Sequence, residues 1–460
     1  MNLRLNHRLN HRLHRLHRLH RLHGLHGLDG RVGWSWPAAV SLFVLLFIVY
    51  LLTTSGGFHI IDEVSLFAVT ESAAKRGAFD TNAIAWTQWV NSPGEVLGAF
   101  GPEGDVFSKK GPALPLLAVP LYWLMWVLPG VGLLQGTLLF NMLVTAATAL
   151  LVWRTVSALG YGQRIGVAAA LLYGLGTIAW PYATHFFSEP LSALALLGMF
   201  YALLRLRQTG RSRYAWGAGL AAGLLIAGNA AHGVVLPFFL FYLLFHLWRV
   251  RLARNPQSAI RNPQSLPCIL HLASCILPLV GAVALLGCYN WARFGHPLQT
   301  GYHFEAGEGF NGALWQGLWG LLLSPYRGLF WYTPLAIASL LSWPRFIARH
   351  KAEGWLLAAV SVAQVLLFAR WWMWWGGFAW GPRFLVPLTP FLVIVLAPRL
   401  ERAGGDVGAT LAVARKGRGR EAGASPAPTS VEMGKGDVGA TLAVARKGRG
   451  REAGASPAPT

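Results

Sequence analysis

Runs of apolar residues recur along this chain at lengths that water-soluble folds rarely use. The first, "WPAAVSLFVLLFIVYLLT", occupies residues 36–53. A helix needs about 18 or more mostly apolar residues to cross a bilayer. By apolar length, candidate segments lie at 36–53, 112–128, 132–153, 165–182, 190–206, 214–230, 232–248, 268–288, 329–344, 354–370 and 384–398. Composition agrees: 54% of the 460 residues are hydrophobic and 12% charged, against roughly 25% charged in soluble domains. The fold class this predicts is an all-α polytopic membrane protein.

The net charge of +21 is distributed as in a membrane protein. Residues 1–31 carry a net +6 and residues 399–460 a net +5, and most of the rest lies in short loops between apolar runs. Lys and Arg gather in this way on the cytoplasmic side. No nucleic-acid-binding motif accompanies the charge, so nucleic acid is excluded as a partner. Cys268, Cys275 and Cys288 fall in or beside one apolar run without metal or disulfide spacing, and read as small buried hydrophobes.

Both ends are low in complexity. "RLHRLHRLHRLHGLHGLDG" (12–30) repeats every three residues, a period that drifts about 60° per repeat on a helix and leaves no fixed apolar face. Residues 1–35 are read as a basic cytoplasmic tail, with metal binding by its histidines as the lesser alternative. "GDVGATLAVARKGRGREAGASPAPT" occupies 405–429 and recurs unchanged at 436–460, and "RNPQSAIRNPQS" (254–265) is a further near-duplicate. Such unvaried copies lack the core face of solenoid repeats and are read as insertions. The expected organisation is a tail over 1–35, a transmembrane domain over 36–398 and a disordered repeat-containing cytoplasmic tail over 399–460. A further C-terminal portion is expected to be missing.

Orientation follows from the basic loops. Were every segment to cross, "WRTVSALGYGQR" (153–164) would face outward. If "PALPLLAVPLYWLMWVL" (112–128) does not cross, the conflict disappears. Pro112, Pro115 and Pro120 interrupt a helix or its start. Ten spans then remain, both chain ends are cytoplasmic, and the loops around Arg154, Arg205, Arg249 and Arg345 all face inward. Outside lie 54–131, 289–328 and 371–383, holding Asp62, Glu63, Glu71, Asp80, Glu95, Glu103, Asp105, Glu305 and Glu308. The inner or plasma membrane is the expected location, with any active site on its outer face.

These outer loops hold the candidate chemistry. In "GGFHIIDEVSLFAVTESAAKRGAFD" (56–80), Asp62 and Glu63 follow closely on the first span. A carboxylate partly desolvated there gains proton affinity and can accept a proton from a hydroxyl. Equally, acids favour the first turn of a helix, and this stretch reads as a helix ended by Gly77. Lys109 and Lys110 run against the positive-inside bias and suit a phosphate at headgroup level, or contact headgroups. His185 and Glu189 stand at the outer end of a span, where an acid needs a partner or caps a helix beside Ser188. Arg293, Tyr302 and Arg327 lie in Gly- and Pro-punctuated loops. "RWWMWWGGFAWGPRF" (370–384) sets five Trp around Gly376 and Gly377, ahead of Arg383. Trp belts are common at interfaces. Indole faces also stack on sugar rings, and Arg383 can hold a phosphate in two places.

The order of these pieces resembles a family: "DE" (62–63), "SKKGPALPLLAVPLY" (108–122), "SEPL" (188–191), "YNWARFG" (289–295) with "TGY" (300–302), "GLLLSPYRGLFWYTP" (320–334) and "WWGGFAWGPRFLVPLTPFL" (374–392). Over roughly 36–398 the chain resembles bacterial membrane glycosyltransferases of the GT-C superfamily, near the family 39 or protein-mannosyltransferase-like group. The resemblance implies a GT-C-like bundle of about ten transmembrane helices with outer juxtamembrane helices in the first loop. It implies a hexosyl or pentosyl transfer from a polyprenyl-phosphate-linked sugar to a lipid, glycan or protein acceptor. Asp62 would be the base of an inverting displacement, with Glu63 adjacent. Lys109, Lys110, His185, Glu189, Arg293, Tyr302, Arg327 and Arg383 are the expected substrate-binding residues. No organic cofactor is expected. Some relatives use a divalent metal, but no acids here have ligand spacing, and none is assigned. The rival readings are a transporter or flippase of lipid-linked sugars and an inactive relative. A transporter would place ionisable groups at mid-membrane, where His232 and His271 are the main examples here.

Overall fold

A computed structural model describes residues 35–85, 98–252 and 265–404. The N-terminal repeat, Glu95, most of the duplicate at 254–265 and the C-terminal repeats lie outside the described residues. Between its loops the rest is helical apart from one short hairpin. The first apolar run becomes α1 (Trp36–Thr53), capped by Ser35, whose side chain accepts from the Ala38 amide, with Pro37 in the first turn. α2 (Ile61–Arg76) is the expected acidic-start helix, and Gly77 ends it at φ 65°. The antiparallel pair β1 (Ala99–Phe100) and β2 (Val106–Phe107) leads to α3 (Ala113–Val127).

Then follow α4 (Leu133–Ala158), α5 (Gln163–Gly176), α6 (Ala179–Ala183), α7 (Ser188–Thr209), α8 (Ser212–Gly228), α9 (Leu236–Leu252) and α10 (Ser265–Phe294). α11 (Leu314–Leu322), α12 (Leu329–Tyr332), α13 (Leu335–Arg349) and α14 (Lys351–Ala369) precede a 3₁₀ turn (Arg383–Leu388) that runs into α15 (Thr389–Val395). Helix continues to Gly404, past the boundary expected at 398.

Among the described residues six helices are long and apolar enough to cross a membrane, or seven if the bent pair Arg383–Val395 and Ala397–Gly404 is one span. The chain is a multi-pass membrane protein. Of the other expected crossings, 165–182 is broken after Gly176, and α8 and α13 have 17 and 15 residues. α3 has 15 residues and contains Pro120. It packs along α2, where Thr70 donates to the Pro115 carbonyl and Trp123 to that of Ala74. The first loop thus contains helices, as expected of it. α1 ends and α4 begins at the same end of the bundle, since Gln135 donates to the Gly56 carbonyl at 3.0 Å. The segment between them therefore starts and finishes there.

At the opposite end the basic loops meet. Gln208 donates to the Ala158 carbonyl at 2.7 Å, His350 bonds to Tyr161 at 3.1 Å, and Arg207 pairs with the buried Glu353. Tight helix contacts rest on small residues: a Cβ on Gly219 would lie 2.2 Å from the Cys275 carbonyl oxygen. On α10 Cys275 is half-buried and Cys288 is exposed, against the expectation of buried thiols at these two positions, and the side chain of Cys268 lies outside the described residues. These positions lie on a helix whose apolar face is left to lipid. In the interior His232 is buried and accepts from Gln364 Nε2 at 3.1 Å, while Gln364 Oε1 is buried without a hydrogen-bond partner.

Candidate functional site

The end of the bundle remote from the basic loops gathers most of the acids and cations singled out above. After α1 the chain hooks through 54–60 and enters α2 with Asp62 and Glu63 in its first turn. Adjacent side chains on a helix point about 100° apart, and these two face different partners.

Asp62 faces cations. Its Oδ2 accepts from Arg383 Nη1 at 2.7 Å and lies 3.0 Å from Lys110 Nζ. Arg383 in turn donates through Nε to Glu189 Oε1 at 2.6 Å and through Nη1 to the Gly376 carbonyl at 3.3 Å. The Arg383 and Glu189 side chains are 6% and 3% exposed, whereas the Asp62 side chain keeps 24% of its surface open. The chain Lys110–Asp62–Arg383–Glu189 is thus buried at one end and open at the other. Burial alone would raise the Asp62 carboxyl; the charges of Lys110 and Arg383 outweigh it and hold it well below the usual carboxylate range. Burial would lower Lys110, and the Asp62 charge more than restores it, leaving it raised.

Local structure explains why Lys110 arrives there. Ser65, one turn along α2 from Asp62, donates to Ser108 Oγ at 2.8 Å, and Ser108 Oγ also accepts from the Lys110 amide at 3.2 Å. Arg293, buried at the end of α10, donates to the Ser108 carbonyl at 2.6 Å and to Asn290 Oδ1 at 2.7 Å. Gly376 and Gly377, at φ 74° and 71°, turn their carbonyls toward Arg383 and toward Arg327, whose Nη2 donates to Gly377 at 2.8 Å. Arg293 and Arg327 therefore brace the loops that carry the cluster and do not bond to its acids.

Glu63 faces the other way and is fully buried. Its Oε1 accepts from the Phe186 amide at 2.7 Å and from His185 Nδ1 at 3.2 Å, while Oε2 accepts from the His59 amide at 2.9 Å. Burial raises this carboxyl, but the bonds from His185, His59 and Phe186 hold it below its ordinary value. Asn141 of α4 fixes the same turn by donating to the carbonyls of His185 and Phe187. α7 begins at Ser188 with no side-chain cap, so Ser188 does not explain the placement of Glu189.

Lys109 points away from Asp62. It pairs with both Glu308 oxygens at 2.8 Å and lies 5.8 Å above the Tyr302 ring. Glu308 also accepts from the His303 amide, and Tyr302 stands edge-on to Trp371 at 5.5 Å. These contacts tie the 302–309 loop to the Lys109–Lys110 turn.

One group offers metal-ligand chemistry among the described residues: atoms of His59, Glu63 and His185 lie within 4.8 Å of one another. Two imidazoles and a carboxylate are a donor set that zinc accepts. Glu63 already receives three hydrogen bonds, so the turn closes on hydrogen bonds alone. No spacing along the chain marks this set, because His185 comes from a distant segment. His59 and Glu308 had no distinguishing signal beyond their loop positions.

Residues 114–260 match the family model described as dolichyl-phosphate-mannose-protein mannosyltransferase. That match bears out the resemblance read from the sequence. It includes His185 and Glu189, whereas Asp62, Lys110 and Arg383 lie outside it. No curated protein matches the chain. Among solved structures, ArnT from Cupriavidus metallidurans, bound to undecaprenyl phosphate, is 17% identical with a TM-score of 0.48, covering 83% of this chain and 64% of that one. The oligosaccharyltransferase of Archaeoglobus fulgidus in the apo form is 12% identical with a TM-score of 0.48, covering 83% and 53%. AglB of Archaeoglobus fulgidus, with an inhibitory peptide and a dolichol-phosphate, is 14% identical with a TM-score of 0.47, covering 86% and 53%. The chain thus spans 64% of the first structure's length and about half of the others'.

Proposed function

We propose that this chain is a GT-C-type glycosyltransferase that moves a sugar from a polyprenyl-phosphate carrier to an acceptor hydroxyl at the outer face of the membrane. The observation that carries the reading is the Lys110–Asp62–Arg383 arrangement: two cations converge on one partly open carboxylate at a helix end. The family-model match supports the class of reaction, and the gathering of basic loops at the other end of the bundle supports the orientation.

In the proposed reaction the carrier's phosphate enters between Lys110 and Arg383. Charge-assisted bonds there stabilise the negative charge that grows on the leaving oxygen. By sharing those cations, the phosphate also releases Asp62 from the pairing that suppresses its basicity. The acceptor oxygen then bonds to the anomeric carbon while the bond from that carbon to the phosphate oxygen breaks. Asp62 takes the hydroxyl proton, and polyprenyl phosphate leaves with the bonding electron pair. One displacement inverts the anomeric centre. Glu189 acts through Arg383 as a positioning residue. If a metal binds at all, His59, Glu63 and His185 would hold it and it would supply Lewis acidity; no step above depends on it.

The test is Asp62→Asn. The expected result is a loss of sugar transfer of about 10²–10⁴-fold, the range for a positioned general base, with carrier binding retained. Unchanged transfer would remove Asp62 from the reaction. The rival transporter reading predicts instead that Asp62→Asn alters movement of lipid-linked sugar across proteoliposomes without any covalent transfer in the unaltered protein. Mass spectrometry of lipid-linked sugars that accumulate in a deletion strain would identify the sugar.

A further inference from the structure

On the Glu63 side of α2 the protein opens into a cleft that the reaction scheme leaves unused. Its volume is about 370 Å³, and its lining includes Trp180, Trp380, His59, His185, Thr53 and Thr184. That size falls within the range of small-ligand pockets.

Both tryptophans are held in place. Trp180 Nε1 donates to Thr53 Oγ1 at 3.1 Å. Trp380 stands edge-on to Tyr332 at 4.6 Å, and its carbonyl accepts from Tyr182 at 2.7 Å. Even so, Trp380 keeps 49% of its surface open. A side chain held by its neighbours yet half open to its surroundings is a platform, not core packing. The histidines are also placed: His185 is tethered by Glu63 and Asn141, and His59 meets its ring at 4.9 Å, close to edge-on.

The lining selects its ligand by chemistry. Lys110 and Arg383 are not part of it, so it offers no fixed cation for a phosphate. A hydrocarbon chain would cover imidazoles and hydroxyls without giving them hydrogen-bond partners, which is unfavourable. A pyranose ring meets both demands. Its C–H face stacks on indole, and its hydroxyls bond to imidazole nitrogens and threonine oxygens. Resting on the reading that the neighbouring cluster grips a carrier phosphate, we propose that this cleft is a pyranose-binding subsite. The sugar can arrive on the donor, as the group that the carrier phosphate bears, or as part of the acceptor.

The experiment reads occupancy without activity. Full-length protein in nanodiscs is treated with diethylpyrocarbonate, and carbethoxylation of His59 and His185 is followed by peptide mass spectrometry. The probes are undecaprenyl phosphate, a panel of undecaprenyl-phosphate-linked mannose, glucose, galactose and arabinose, and the methyl glycosides of the same sugars. At saturating probe, the expected result is a slowing of modification of about tenfold, the factor that follows if the probe occupies nine-tenths of the sites. A panel lipid that protects marks the donor, and a glycoside that protects marks the acceptor. Bare undecaprenyl phosphate gives no protection. Trp380→Ala and Trp180→Ala abolish protection, and Trp380→Phe keeps it. If bare undecaprenyl phosphate binds in a Lys110-dependent way but no sugar protects, the cleft assignment falls alone. Equal protection by the bare carrier, or protection without any probe that EDTA removes, also overturns it. If the bare carrier does not bind at all, the reading of function fails first.

Discussion

Replacing Arg383 by Met should destabilise the protein far more than its single position suggests. The guanidinium bonds Glu189 at 2.6 Å and Asp62 at 2.7 Å, and Glu189 is nearly inaccessible, with its Oε2 already lacking a partner. Removing one member of such a buried pair costs about 3–5 kcal/mol, because a bare charge stays behind. Glu189→Gln should cost less in the Arg383→Met background than in the unaltered protein, since it then neutralises the stranded carboxylate. The coupling between the two changes should reach about 2–3 kcal/mol, the upper range for residues in direct contact. Equilibrium unfolding of the four proteins in mixed micelles measures this cycle. Costs that add to within about 0.5 kcal/mol would refute the pairing as an energetic unit.

Three other outcomes follow from the same geometry. Because hydrogen bonds depress Glu63 below its ordinary value, its contribution to stability is complete above about pH 4.3 and is lost as the pH falls through its folded value; Glu63→Gln should flatten that acid limb in a pH series of melting curves. In a background free of the native cysteines, Ser55→Cys should react with an impermeant maleimide in intact cells, and Arg211→Cys only after permeabilisation; equal labelling would contradict the proposed orientation. Glu308→Ala removes the acceptor of both Lys109 and the His303 amide, and should speed amide hydrogen exchange over 303–309.

Much of the fold could be read from the sequence because bilayer length and charge asymmetry act locally. The expectation that 112–128 does not cross rested on three prolines and one misplaced basic loop; in the structure that stretch is a 15-residue helix containing Pro120, in a segment whose two ends lie at one end of the bundle. The break after Gly176 was not readable, since the run stays apolar through Ile178 and Trp180 while Thr177 is held against the Tyr173 carbonyl. At the site, Asp62 and Glu63 were visible as acids just beyond a span. Their partners were not, because Arg383 lies 321 residues from Asp62 and His185 lies 122 from Glu63. Sequence could nominate Lys109 and Lys110 together; only the fold separates them, one toward Glu308 and one toward Asp62. Arg293 and Arg327 looked alike in glycine-rich loops, yet both bond to backbone carbonyls.

Native mass spectrometry of the purified protein with undecaprenyl phosphate tests the central claim most directly. The account predicts one bound carrier that survives excess phosphatidylglycerol and is weakened about tenfold or more by Lys110→Ala, the loss of one charge-assisted contact. A carrier held no better than phosphatidylglycerol, or held equally by the Lys110→Ala protein, would contradict it.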